Sequence, residues 1–244
     1  MRVNRAFVDA PLAPGTRIVL PETAAAHLLR VLRLREGDAC VLFNGDGNDY
    51  AARIVAATKR GGEAEIIGVQ AVDNESPLPI VLVQGIARGE KMDLILQKAT
   101  ELGVAAFVPV SSQRSEVKLD AARAQKRLAH WRTVVASACE QSGRARVPGV
   151  AAPESLEAAV AALAGGGPRL LLDPFADATV ASLAPPGGAG VTVAVGPEGG
   201  WSPRDRETLL SAGFAGIRLG PRVLRTETAG LAAVAALQAR FGDL

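Results

Sequence analysis

The segment from Val191 to Arg240 constrains this chain more than any other. A short β-branched run, Val191–Val195, stops at Gly196-Pro197-Glu198-Gly199-Gly200. Ser202 followed by Pro203 then has the chemistry of a helix start, a capping hydroxyl and a ring whose missing N–H costs nothing at the first helical position. A second run, Gly216–Leu219, stops at Gly220-Pro221-Arg222-Val223-Leu224-Arg225, and an apolar, alanine-rich helix follows from about Thr226. Two strand ends thus each open into a stiff polar loop and then a helix. Open α/β sheets bind their ligands at such places. Glycines there admit close approach of ligand and backbone, and prolines hold the loop shape.

Upstream, the chain reads in two styles. The first 72 residues alternate as short strands at Arg5–Val8, Arg17–Leu20, Asp38–Phe43, Tyr50–Ala57 and Ala64–Val72. Turns such as Asn44-Gly45-Asp46-Gly47 and Arg60-Gly61-Gly62 separate them, and one helix interrupts at Thr23–Leu32. That pattern suggests a small barrel. Asn74-Glu75-Ser76-Pro77-Leu78-Pro79 is a linker. Beyond it, strands at Ile80–Ile86, Phe107–Val110 and Leu170–Leu172 alternate with helices at Lys91–Leu102, Leu119–Gln141 and Ser155–Leu163. Alternation of this kind means a parallel sheet covered on both faces. The expected organisation is therefore a barrel over 1–73, a linker over 74–79 and an α/β domain over 80–244.

Bulk properties exclude several classes. No apolar run approaches membrane length and no leader is visible, which suits a cytoplasmic protein. The two cysteines, Cys40 and Cys139, are expected as buried free thiols. Two histidines and two cysteines far apart make no metal set. No GxGxxG follows a strand, which disfavours a dinucleotide fold. Net charge is only +2, but residues 84–146 hold eleven basic and six acidic side chains, so phosphate contacts are expected in the middle of the chain. Arg114, Ser115, Glu116 and Lys118 follow a strand end, and Arg144 and Arg146 follow a helix end. Lys91, Lys98 and Glu101 share a helix face and read as surface pairs.

GPEGGWS (Gly196–Ser202) and LGPRVLRTETA (Leu219–Ala229) resemble the signatures of SPOUT methyltransferases of the RsmE family. The resemblance continues through HLLRVLRLREGD (His27–Asp38), KMDLILQKATELGV (Lys91–Val104), RSEVK (Arg114–Lys118) and SACEQSGRARVP (Ser137–Pro148). It implies a PUA-like RNA-binding β-barrel followed by a parallel sheet with a carboxyl-terminal trefoil knot. Periodicity alone gives no sign of a knot, and knots are rare enough that physics argues against one. The implied activity is methylation of N3 of a specific uridine in 16S rRNA during small-subunit maturation. S-adenosyl-L-methionine would be the methyl donor, 16S rRNA or the 30S subunit the partner, and a homodimer the active form, helped by the apolar last helix.

The resemblance places three loops around the cofactor. They are Leu171-Leu172-Asp173 with Pro174 and Phe175, Gly196-Pro197-Glu198-Gly199-Gly200, and Leu219 to Thr226. Leu219, Gly220, Val223 and Leu224 would wrap the adenosine, while Glu198 and Thr226 supply polar contacts. Arg225 and Arg222, beside that loop, are candidates to stabilise a uridine anion, with Arg225 favoured. Glu198 or Glu227 could serve as base if burial raises its pKa. Glu227 could equally favour a helix start, with Thr226 or Thr228 in the cap. Arg2, Arg5, His27, Arg30 and Arg33 could make an RNA face on the barrel, joined by Arg114, Lys118, Arg144 and Arg146. Two rivals stand beside this reading. One is a non-catalytic RNA-binding protein of the same fold. The other is a SPOUT enzyme acting on a different target, such as a tRNA ribose.

Overall fold

A computed structural model of the chain describes residues 4–58, 61–115 and 120–244. Those residues form two compact units, one of Met1–Glu75 with Ala136–Val147 and one of Ser76–Val135 with Pro148–Leu244. The return of Ala136–Val147 to the first unit has no counterpart in the sequence reading.

In the first unit, five strands are ordered β1-β3-β4-β5-β2. They are β1 (Arg5–Phe7), β2 (Arg17–Val19), β3 (Ala39–Phe43), β4 (Asn48–Thr58) and β5 (Gly61–Ala71). Neighbours pair antiparallel except β1 with β3. Alternation in β4 sends Tyr50, Ala52 and Ile54 inward while Ala51 and Arg53 face out. The expected helix is short: α1 spans Glu22–Ala25, and Ala26–Val31 winds as a π-helix. There the Leu32 N–H reaches the carbonyl of His27, five residues back, and Leu28 enters the core.

In the second unit the sheet order is β12-β10-β11-β6-β7-β8, with β9 also on β7, and every pairing is parallel. The elements are β6 (Ile80–Gly85), α2 (Glu90–Glu101), β7 (Val104–Ser111), α3 (Ala121–Ser142, which from Ala136 onward belongs to the first unit), β8 (Gly149–Val150), β9 (Glu154–Ser155), α4 (Leu156–Ala162), β10 (Arg169–Leu172), β11 (Val191–Val195), α5 (Pro203–Ser211), β12 (Phe214–Ile217) and α6 (Thr226–Phe241). Being covered on both faces, β6 is almost wholly buried. Each such aliphatic side chain contributes roughly 1.5–3 kcal/mol of burial. Strand β11 lies between β6 and β10, and β12 lies beyond β10. The chain passes over β10 after leaving β11, so the carboxyl ends of three strands meet at a topological switch. Register aligns them: Leu171 stands opposite Ala194, Leu172 opposite Ile217, and Val195 opposite Gln84.

Candidate active site

The three strand ends enclose a cavity of about 590 Å³, a size suited to a small-molecule cofactor. Its floor is apolar, made by Leu171, Val195, Ile217, Leu219, Leu224 and Ala229. Its rim is cationic: Lys91, Arg114, Arg206, Arg218, Arg222 and Arg225 line it against the carboxylates of Asp173 and Glu198. All the residues expected at the cofactor from Leu171 to Asp173, from Gly196 to Gly200, and at Leu219, Gly220, Val223, Leu224 and Thr226 line this one cavity, as do Arg222 and Arg225.

Local chemistry explains why the loops hold their shape. Ser202 caps α5 in a reciprocal pair, its hydroxyl accepting from the Asp205 N–H at 3.1 Å while the Asp205 carboxylate accepts from the Ser202 N–H at 2.9 Å. Asp205 also accepts from the Gln113 N–H at 3.3 Å, which draws in the turn bearing Arg114. Arg114 then donates to the Gly199 carbonyl at 3.2 Å. Gly199 must be small, because a Cβ there would stand 3.1 Å from the Cβ of Arg114. A Cβ on Gly85, at the end of β6, would fall 2.5 Å from the Pro197 nitrogen, so the Gly196–Gly200 loop can lie on β6 only over a glycine. Gly220 needs glycine for another reason: its φ is +93° in open space.

Several expectations need correction. Glu198 is, with Glu227, a candidate base only if burial raises its pKa. Burial does push its carboxyl up, but the backbone N–H groups of Arg88 and of Glu198 itself, with Lys91, outweigh that, and its pKa lies below the ordinary range. It is a fixed anion that braces its loop. Thr226 was expected to face the ligand, but its hydroxyl is spent inside the protein. It donates to the Gly196 carbonyl at 2.6 Å and accepts from Gln84 at 3.1 Å. The N-cap of α6 is Arg225, with no side-chain cap bond, so neither Thr226 nor Thr228 caps it. Lys98 does pair on the surface with Glu101, but Lys91 turns to the cavity between Glu198 and Glu227.

The expected RNA contacts divide. Arg144 is 5% exposed and forms a two-pronged ion pair with Glu75, at 3.0 and 2.5 Å. The Arg5 side chain is 9% exposed, held by Asp49 at 2.6 Å and by the Arg144 carbonyl. Both are interior cations that tie the first unit together, not groups presented to RNA. Arg30, Arg33, Arg114 and Arg146 are exposed. Arg2, Glu116 and Lys118 lie outside the described residues. Both cysteines are buried free thiols, and burial pushes Cys40 to about 11 and Cys139 to about 12, so neither is a nucleophile at neutral pH. Among the described residues no His, Cys, Asp and Glu side chains group as a metal set, and no helix is long and apolar enough to cross a membrane.

Sequence reasoning missed Gly85, Arg206, Arg218 and Trp201. Gly85 carries no local signal, since only the fold lays Pro197 on it. Arg206, inside a capped helix, reads as surface until its ion pair with buried Asp173 is seen. Arg218 and Trp201 flank the quoted loops and could have been taken from their adjacency.

The fold matches that of solved methyltransferases. The model of the RNA methyltransferase domain matches residues 74–238, and that of the RNA methyltransferase PUA domain matches residues 20–67. The chain belongs to this family, in the group of the ribosomal RNA small subunit methyltransferases E. The member from Buchnera aphidicola (subsp. Schizaphis graminum) is 33% identical over 243 residues, covering 100% of this chain and 98% of its own. A crystal structure of the Neisseria gonorrhoeae protein of that name, bound to S-adenosyl methionine, is 40% identical with a TM-score of 0.91, covering 99% of each chain. A Legionella pneumophila methyltransferase in complex with the cofactor is 36% identical with a TM-score of 0.94, covering 100% of both chains.

Proposed function

We propose that this protein methylates N3 of a uridine in 16S rRNA, using S-adenosylmethionine, and that it works in the cytoplasm as a homodimer on the rRNA or on the 30S subunit. The observation that carries this reading is the cavity itself, an apolar floor for an adenosine joined to a cationic rim for an anionic polymer. The residues fit the cofactor: glycines at Gly196, Gly199, Gly200 and Gly220 line the cavity and let a ligand come close to the backbone, and Leu219 and Leu224 offer faces for a ring. When bound, the cofactor supplies an electrophilic methyl on a sulfonium. The chain's residues align and stabilise. Arg225 is exposed at the rim and has no ion-pair partner among the described residues, so its guanidinium is available for the charge that develops on N3 and O4 as the N3 proton leaves to solvent water. Arg222 stands beside it for a neighbouring phosphate. Glu198, anionic and braced by Arg88 and Lys91, holds the loop rather than taking a proton. Arg30 and Arg33 on the first unit supply further backbone contacts.

A trefoil knot fits the same reading. The chain leaving β12 pairs Arg218 with Thr179, and Arg240 of α6 donates to the Leu183 carbonyl, both in the segment between β10 and β11. The test is incubation with labelled S-adenosylmethionine and small subunits from cells lacking this protein, followed by nucleoside mass spectrometry. Appearance of 3-methyluridine supports the proposal. Transfer to a ribose oxygen, or none, refutes it.

A further inference from the structure

We propose that Phe175 is a platform on which a base of the RNA substrate stacks at the cavity mouth, with Arg218 and Arg206 beside it for the adjoining phosphate. The proposal rests on the methyltransferase reading above and assigns to RNA a residue that the sequence grouped with the cofactor loop.

Phe175 is 89% exposed, in a chain with six phenylalanines. It is not loosely hung. The Asp173 N–H bonds the Ile217 carbonyl at 2.9 Å, and the Phe175 N–H bonds the Asp173 carboxylate at 3.0 Å. Downstream, the Arg218 N–H bonds the Ala178 carbonyl at 2.9 Å. The loop is therefore clamped on both sides of Phe175 along the end of β12. Asp173 is itself buried and paired with Arg206. A Cβ on Gly216 would stand 3.2 Å from that of Ala176, so the loop also packs tightly on β12. A phenyl ring carried on a clamped backbone and left in water at a binding cavity is prepared to be covered.

The rim's charge identifies what covers it. Arg206, Arg218, Arg222 and Arg225 share the cavity mouth with the ring, and both carboxylates there are already engaged. An apolar π-face beside several guanidiniums matches a nucleotide, whose base stacks on aromatic rings and whose phosphate takes arginine forks.

The test measures binding of a fluorescein-labelled, uridine-rich single-stranded RNA to the full chain by anisotropy, with cofactor titrated calorimetrically and sedimentation run in parallel. Phe175→Ala should weaken RNA binding about tenfold, the scale of one lost base stack. Phe175→Trp should restore it. Arg218→Ala should flatten the salt dependence by about one ion. Cofactor affinity and sedimentation should stay as in the wild type. RNA affinity within twofold of wild type in Phe175→Ala overturns the platform. A parallel loss of cofactor affinity would assign the ring to the cofactor cavity, and a changed sedimentation coefficient would assign it to a subunit contact; either overturns the proposal. A wild-type protein that bound neither RNA nor cofactor would remove the proposed function and the platform with it.

Discussion

The hydroxyl of Thr226 donates a 2.6 Å hydrogen bond to the carbonyl of Gly196, joining the loop after β12 to the loop after β11 across 30 residues of chain. Gln84, fully buried at the end of β6, donates to the same hydroxyl. One side chain thus holds the ends of three elements in register. Thr226→Val keeps the shape but removes the partner of the half-buried Gly196 carbonyl and one of the two partners of the buried Gln84 amide. It should cost about 1–3 kcal/mol of stability, read from the urea midpoint, and should weaken cofactor binding with it. Unchanged stability would mean that water replaces the hydroxyl.

Two glycines separate steric from conformational demands. A Cβ on Gly85 meets the Pro197 nitrogen at 2.5 Å, whereas Gly220 has open space but a φ of +93°. Gly85→Ala should displace the Gly196–Gly200 loop and abolish cofactor binding by calorimetry. Gly220→Ala should cost only the left-handed backbone penalty, about 1–2 kcal/mol, and should retain measurable binding. Equal effects of the two would contradict this division.

Arg225 should act on the chemical step. Arg225→Ala should lower single-turnover methylation by about a hundredfold, the scale of losing one oriented donor. Cofactor affinity should change little, and Arg225→Lys should recover only part of the rate, because an ammonium lacks the planar fork. The rate should rise with pH until N3 deprotonation no longer limits it. A rate within a fewfold of wild type for Arg225→Ala would move the role to Arg222.

Glu198 gives a stability term with a defined sign. Its folded pKa is depressed, so its contribution is present above the unfolded glutamate pKa and is lost as pH falls through the lower folded value. The loop should therefore be braced at neutral pH and release in acid. Glu198→Gln should flatten the acid limb of the urea midpoint against pH, and an unaltered limb would mean that the brace carries no weight.

Arg144 should behave as a structural residue. Arg144→Ala leaves Glu75 partly buried without its partner, and should cost about 2 kcal/mol after allowance for the exposure of Glu75. Its salt dependence of RNA binding should match wild type. Arg30→Ala should do the reverse, sparing stability and flattening the salt slope by about one ion.

Much of the scaffold was legible because it rests on short-range rules. Val191–Val195 was read with the bounds it has in the fold, and so was the Ser202-Pro203 helix start, because β-branched runs and caps act within a few residues. Boundaries slipped where burial overrode local pattern. The strand read at Gly216–Leu219 begins at Phe214, which is buried and stands opposite Arg169 on β10. The helix read at Thr23–Leu32 is mostly π, and Leu28 enters the core from its π turn.

By itself the sequence determined the α/β class and the two strand-ending loops, Gly196–Gly200 and Gly220–Arg225, because spacing, capping and turn chemistry are written along the chain; the loop at Leu171–Phe175 and the residues at the cofactor were legible only through the family resemblance. Only the tertiary structure decided how those residues divide their work. It turned Arg5 and Arg144 inward, tied up the hydroxyl of Thr226, held Glu198 as an anion, and left Arg225 and Phe175 exposed. The reason is physical. Whether a polar group is a ligand contact or a brace depends on its distance to partners far away in sequence, and on how much water remains around it.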